Sequence, residues 1–136
     1  GGTLTGAGEM IKLARPDVRI TVSEPEGAAL LSGREFKPHK IQGWTPDFIP
    51  AVLNRKVADE ILPVSDQEAI DTARALAKSE GIFCGISSGA AFAAALKVAA
   101  KAKQGDVIVA MLPDTGERYL TTALFEGIPD GTDPEP

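Results

Sequence analysis

Residues 106–112 read Asp-Val-Ile-Val-Ala-Met-Leu, and this run constrains the fold more than any other stretch. It is too short for an ordinary helix, and its near-continuous apolar character fits a strand covered on both faces. Helical and extended patterns alternate ahead of it. Residues 5–15 place Ala7, Met10, Ile11 and Ala14 at helical spacing, and Pro16 closes the segment. Residues 19–23 are short and β-branched, a buried strand ended by Pro25; residues 27–31 can make one or two helical turns, and 61–64 form a second short strand. Ser65 followed three residues later by Glu68 is a capping box. The helix it opens buries Ala69, Ile70, Ala73, Leu76 and Ala77 on one face and stops at Gly81. After a short extended piece at 82–85, Ser87, Ser88 and Gly89 cap an alanine-rich helix that runs to about residue 102. A short segment at 119–125 follows the long strand. This order predicts an α/β fold in three layers, a mostly parallel sheet with helices on both faces. Ligands of such sheets sit outside the carboxyl ends of the strands, where loops meet helix N-termini.

The 136 residues suit one compact domain, and 43% apolar residues is ordinary for a globular protein. The domain is expected over 1–126. The segment 127–136, rich in Pro, Gly and Asp, reads as a disordered tail. A net charge of −5 with no basic stripe argues against a nucleic-acid partner. The most apolar stretch, 90–102, is interrupted by Lys97 and Lys101 and is too short to span a bilayer. The single cysteine, Cys84, allows no internal disulfide, and no N-terminal signal is visible, so a cytoplasmic protein is expected. Gly1 and Gly2 belong in a turn between elements, as if the sequence began inside a longer one.

Three loop-to-helix junctions could carry chemistry. Residues 1–6, Gly-Gly-Thr-Leu-Thr-Gly, could bind an anion on bare helix N-terminal amides, or could be a plain flexible cap. In residues 85–90 the serines could be an ordinary N-cap, or one hydroxyl could face a cleft as a neutral hydrogen-bond partner. Residues 113–119, Pro-Asp-Thr-Gly-Glu-Arg-Tyr, follow the apolar run and could line a site or be solvated loop. Residues 33–50, punctuated by proline and glycine and holding Trp44, Phe48 and Ile49 exposed, have the length and character of a binding or gating loop. No side chains have metal spacing: His39 and Cys84 stand alone and read as structural, and no Ser-His-Asp arrangement can be built.

Four segments in order carry a resemblance: 1–6; 38–43 (Pro-His-Lys-Ile-Gln-Gly) leading to Phe-Ile-Pro at 48–50; 85–91 (Gly-Ile-Ser-Ser-Gly-Ala-Ala); and 116–120 (Gly-Glu-Arg-Tyr-Leu) with Thr-Ala-Leu-Phe at 122–125. They resemble the C-terminal portion of the cysteine synthase (O-acetylserine sulfhydrylase) family, fold-type II pyridoxal-phosphate enzymes. The resemblance implies a pyridoxal 5'-phosphate cofactor between two α/β domains, with Gly1, Gly2 and Thr3 as the last three residues of its Gly-Thr-Gly-Gly-Thr phosphate loop. It implies Ser87 as partner of the pyridine nitrogen, Pro113 and Asp114 at the pyridine edge, and Gly43 beside the substrate. A hydroxyl at the pyridine nitrogen leaves the ring essentially neutral, where a carboxylate would hold it protonated, and this favours loss of a β-leaving group. The implied reaction is β-replacement: O-acetylserine and sulfide give cysteine and acetate. Around Gly43 the sequence departs from the family's commoner Gly-Ile-Gly-Ala-Gly-Phe-Ile-Pro, and Trp44 with Pro46 would stiffen and enlarge the loop.

The family's Schiff-base lysine and its Thr-Ser-Gly-Asn-type substrate loop lie upstream, and no lysine here sits in a matching context. No catalytic residue is therefore assigned, and the chain alone is expected to be inactive. The parent enzyme is expected to be a homodimer. Family members can bind the C-terminal tail of serine acetyltransferase, although a lone fragment would lose that groove. Other readings are a cystathionine β-synthase-like enzyme, a non-catalytic phosphate- or partner-binding module, and a nucleotide-binding domain. The last is disfavoured because Gly-x-Gly-x-x-Gly spacing is missing and Glu24, the acidic residue after the next strand, is followed at once by proline.

Overall fold

The computed structural model describes residues 1–129. Helix α1 spans Gly2–Ala14, strand β1 Thr21–Pro25, strand β2 Glu60–Val64, helix α2 Asp66–Glu80 and helix α3 Ile86–Ala99. Single 3-10 turns occur at Glu26–Ala28, Arg55–Val57 and Gly116–Tyr119. Strands β1 and β2 pair in parallel, with Thr21 opposite Glu60 and Pro25 opposite Val64. The expected α/β class with a parallel sheet and helices is what forms.

The two central helices follow their sequence signals closely. Ser65 Oγ accepts the Glu68 amide at 3.2 Å while the Glu68 carboxylate accepts the Ser65 amide at 2.8 Å, so two orphan donors of α2 are satisfied reciprocally. Gly81 ends α2 at φ 68°, a left-handed conformation that costs glycine nothing. Helix α2 buries Ala69, Ile70, Ala73 and Leu76 against Ile86, Ala90, Ala93 and Ala94 of α3. Small residues let the two axes approach closely. A Cβ on Gly89 would lie 2.1 Å from the Ala69 carbonyl oxygen, so this glycine is required by contact rather than by dihedral. Val64, Ile41, Tyr119 and Leu124 complete the core, and Arg74 of α2 pins the last turn by donating to the carbonyls of Leu124, Ala123 and Glu126.

Several sequence expectations are corrected. Residues 106–112 form no ladder: the segment lies outside regular structure, and Val107 and Val109 are 87% and 90% exposed. It pairs with no described strand, and an apolar run becomes a β-strand only against a partner. The sheet formed by the described residues accordingly has two strands. Helix α1 begins at Gly2, three residues earlier than its apolar spacing suggests, and its apolar side is uncovered: Met10 is 63% exposed, and Leu13 79%. Only Gly8 is buried there, against Val57. Strand β1 is displaced by two residues, from 19–23 to Thr21–Pro25. Helix α3 starts at Ile86 with Gly85 as N-cap, so Ser87 and Ser88 lie inside the first turn and neither caps it. Trp44 packs on the core while Phe48 and Ile49 stay exposed. Of the expected tail, 130–136 lies outside the described residues.

Candidate functional site

The start of α1 has the makings of an anion site. Gly1 is its N-cap, no side chain caps it and no acidic residue stands in its first turn. The amides of Gly2, Thr3 and Leu4 are therefore left to an external acceptor, with the positive end of the helix dipole behind them. Thr3 is exposed, and a Cβ at Gly2 would meet nothing within 4 Å, so the approach is open. The Thr5 hydroxyl is already engaged: it donates to the Val52 carbonyl at 3.1 Å and accepts the Asn54 amide at 3.0 Å. These bonds seat the helix start on 52–54, beside a cavity of about 270 Å³ lined by Leu4, Leu31, Leu53 and Arg55.

The second locus is the start of α3. Ser87 is 4% exposed, and its hydroxyl has no hydrogen-bond partner among the described residues. Ser88, fully buried, donates to Asp114 Oδ1 at 3.2 Å. The other Asp114 oxygen accepts the Tyr119 hydroxyl. Burial, and then the Asp114 carboxylate, push the Tyr119 phenol up to about 12. Burial and the same carboxylate also push the Cys84 thiol up, so it stays protonated and behaves as core. Pro113 is exposed beside this cluster. Residues 83–88 and 114–119 are thus brought together. Sequence reasoning marked out the 113–119 loop but gave Tyr119 no part, although an aspartate and a tyrosine around Gly116 were there as a signal.

The loop carrying Gly43 is anchored separately. Gly43 has φ 85° and Thr45 φ 37°, the latter an uncommon conformation for a β-branched residue. The His39 Nε2 atom lies 3.2 Å from the Thr45 carbonyl, and its Nδ1 is buried with no partner among the described residues. No hydrogen bond among the described residues links 1–3 or Gly43 to Ser87 or Asp114. What connects the Gly43 loop to α3 is the core, where Ile41 and Trp44 pack in the cluster that holds Ile86 and Tyr119. Glu24 is buried and spent on its own loop, accepting the amides of Leu31 and Ser32 and the Ser32 hydroxyl. A carboxylate so engaged is not free to hold a ribose.

Residues 1–114 match the family described as pyridoxal-phosphate dependent enzyme. O-ureido-L-serine synthase of Streptomyces lavendulae is 53% identical over 132 residues, 97% of this chain and 41% of that protein. A crystal structure of an O-ureido-L-serine synthase, 53% identical, superposes with a TM-score of 0.92, covering 96% of this chain and 42% of that one. A probable cysteine synthase of Bacillus subtilis (strain 168) is 48% identical over 94% of this chain and 41% of its own length. O-acetyl serine sulfhydrylase isoform 3 from Entamoeba histolytica matches at 45% identity and a TM-score of 0.89, over 96% of this chain and 39% of that one. The chain therefore spans about two fifths of the length of these relatives. Uncapped helix amides can hold a phosphate and an unpartnered hydroxyl can donate to a neutral ring nitrogen, so the chemistry of the residues present fits the family's cofactor.

Proposed function

The chain belongs to the pyridoxal-phosphate dependent enzyme family, and we propose that it forms the cofactor-gripping C-terminal part of a cysteine synthase, which makes cysteine and acetate from O-acetylserine and sulfide. The observation that carries this reading is Ser87 at the start of α3, a residue only 4% exposed whose hydroxyl has no hydrogen-bond partner among the described residues. When bound, the cofactor supplies an electron-withdrawing ring that stabilises negative charge on the substrate amino acid. Ser87 Oγ–H would donate to the ring nitrogen and keep its proton, leaving the ring neutral. The amides of Gly2 and Thr3, introduced by Gly1, would hold the phosphate, and Gly43 would leave room beside the substrate. Pro113 would border the pyridine edge together with Asp114. The lysine that bonds the cofactor belongs, on the family resemblance, to a part of the protein beyond these residues. A homodimer, a cytoplasmic location and binding of the serine acetyltransferase tail belong to the same proposal.

A second reading is favoured by the 53% identity to O-ureido-L-serine synthase. An O-ureido product keeps oxygen on Cβ, so its nucleophile would be hydroxyurea in place of sulfide. The loop at 43–50, with Trp44 anchored on the core, is where such a preference could be set. The full-length protein, reconstituted with pyridoxal phosphate, should be given O-acetylserine with either nucleophile and its amino-acid products weighed by mass spectrometry. Cysteine exceeding O-ureidoserine supports the first reading, and the reverse supports the second. Failure to release acetate with either nucleophile, cofactor bound, refutes both.

A further inference from the structure

We propose that Asp114 and Tyr119 form a clamp that sets the direction of Ser87 toward the cofactor ring, which makes Asp114 a positioning residue for Ser87. The inference rests on the reading of Ser87 given above and deepens it.

The clamp is visible in both side chains and backbone. Asp114 uses one carboxylate oxygen for the Tyr119 hydroxyl and the other for Ser88 at 3.2 Å, so neither is left without a protein partner. The Gly116 amide donates to the Phe83 carbonyl at 3.1 Å, and Cys84 and Thr115 form an antiparallel bridge. The strip that leads into α3 is thus held along its length by the strip that follows Pro113. At the N-cap itself there is no slack. A Cβ on Gly85 would lie 2.4 Å from Asp114 Oδ1 and 2.4 Å from Tyr119 Cε2, so carboxylate and ring press against the residue that begins the helix. A negative charge there is also favourably placed against the positive end of the α3 dipole.

Ser87 lies two residues beyond that contact, and Ser88 is tied to it directly. Because Asp114 takes the Ser88 hydroxyl, the Ser87 hydroxyl is the one left for an external acceptor. The Tyr119 phenol, raised to about 12, remains a donor throughout the range in which an enzyme works. Tyr119 therefore supplies a permanent hydrogen bond, not a switch.

The test uses the full-length protein and its Ser87→Ala, Tyr119→Phe and Asp114→Asn variants. Cofactor affinity is titrated by fluorescence, and the absorption band of the bound cofactor is recorded at saturation together with the thermal midpoint. Ser87→Ala should shift the band. Tyr119→Phe, which keeps the ring and removes only the hydroxyl, should shift it in the same direction and weaken affinity by about tenfold, the loss of one charge-assisted hydrogen bond. Asp114→Asn, which keeps one carbonyl acceptor, should fall between. If Ser87→Ala shifts the band while Tyr119→Phe and Asp114→Asn lower only the thermal midpoint, the clamp is merely structural and the inference is overturned while the reading of Ser87 stands. If Ser87→Ala itself changes neither band nor affinity, the reading of Ser87 falls and the inference falls with it.

Discussion

Replacing a glycine inside a helix by alanine ordinarily stabilises a protein by about 0.5–1 kcal/mol, because the unfolded chain loses freedom. Gly89→Ala should do the reverse. The new Cβ would stand 2.1 Å from the Ala69 carbonyl oxygen and 2.7 Å from both Ala73 N and Ala73 Cβ. An ordinary carbon–oxygen contact is about 3.3 Å, so α2 and α3 would have to separate by roughly 1 Å. None of these neighbours can rotate aside, since two are backbone atoms and the third is itself a Cβ. Overpacking of this kind costs about 1–3 kcal/mol, and backbone contacts place it at the upper end. Subtracting the helix-propensity gain leaves a net loss of about 2 kcal/mol. Gly6→Ala in α1 is the matched control: its Cβ would meet nothing within 4 Å, so it should gain up to about 1 kcal/mol. Urea denaturation of the full-length protein carrying each substitution measures both. A Gly89→Ala protein as stable as the unsubstituted one would refute the close approach of α2 and α3, and with it the placement of the α3 start.

Tyr119 makes an alkaline prediction. Its phenol is held protonated from an ordinary value of 10 up to about 12, so the folded chain retains a proton that the unfolded chain releases. That contribution is fully present below pH 10 and is lost as pH rises through 12, on the order of 2–3 kcal/mol at most. Urea midpoints between pH 9 and 12 should fall, and Tyr119→Phe should flatten the slope; an unchanged slope in the variant would remove the raised phenol from the account. Arg74→Met should release the turn at 123–126, because three carbonyls lose their donor, at bond lengths of 2.7, 3.2 and 2.8 Å. Amide exchange there should speed up at a stability cost of about 1–3 kcal/mol, and unaltered exchange would show that core contacts alone hold the turn.

The helices that carry local signals were legible in the sequence. Ser65, Glu68 and Gly81 mark the ends of α2 without reference to anything distant, and the apolar spacing at Ala69, Ile70, Ala73 and Leu76 marks its buried face. Segments whose state depends on neighbours were not legible. The run at 106–112 has strand composition, but a ladder needs a second backbone, and no described strand provides one. The apolar residues of α1 show the same dependence: their spacing is helical and a helix forms, but Met10 and Leu13 face solvent. Trp44 erred in the opposite direction, since proline and glycine around it suggested exposure while Ile41 beside it drew the loop onto the core. In each case periodicity reported the conformation of the segment and left open what would cover it.

The paired serines show what geometry adds to a motif. Adjacent residues on a helix point about 100° apart, so Ser87 and Ser88 cannot both face the same acceptor. As letters they are equivalent, and either could be read as an N-cap. In the folded chain Gly85 takes the cap position, Asp114 takes Ser88, and Tyr119 fixes Asp114. The hydroxyl left over belongs to Ser87, the serine that the family resemblance independently assigns to the pyridine nitrogen. Ser87→Ala and Ser88→Ala should therefore separate cleanly. Removing the first hydroxyl should alter the spectrum of the bound cofactor directly. Removing the second should act through Asp114, with a smaller shift in the same direction. An equal shift from both would mean that the two serines share the cofactor, and the division of labour drawn from the Ser88–Asp114 bond would be wrong.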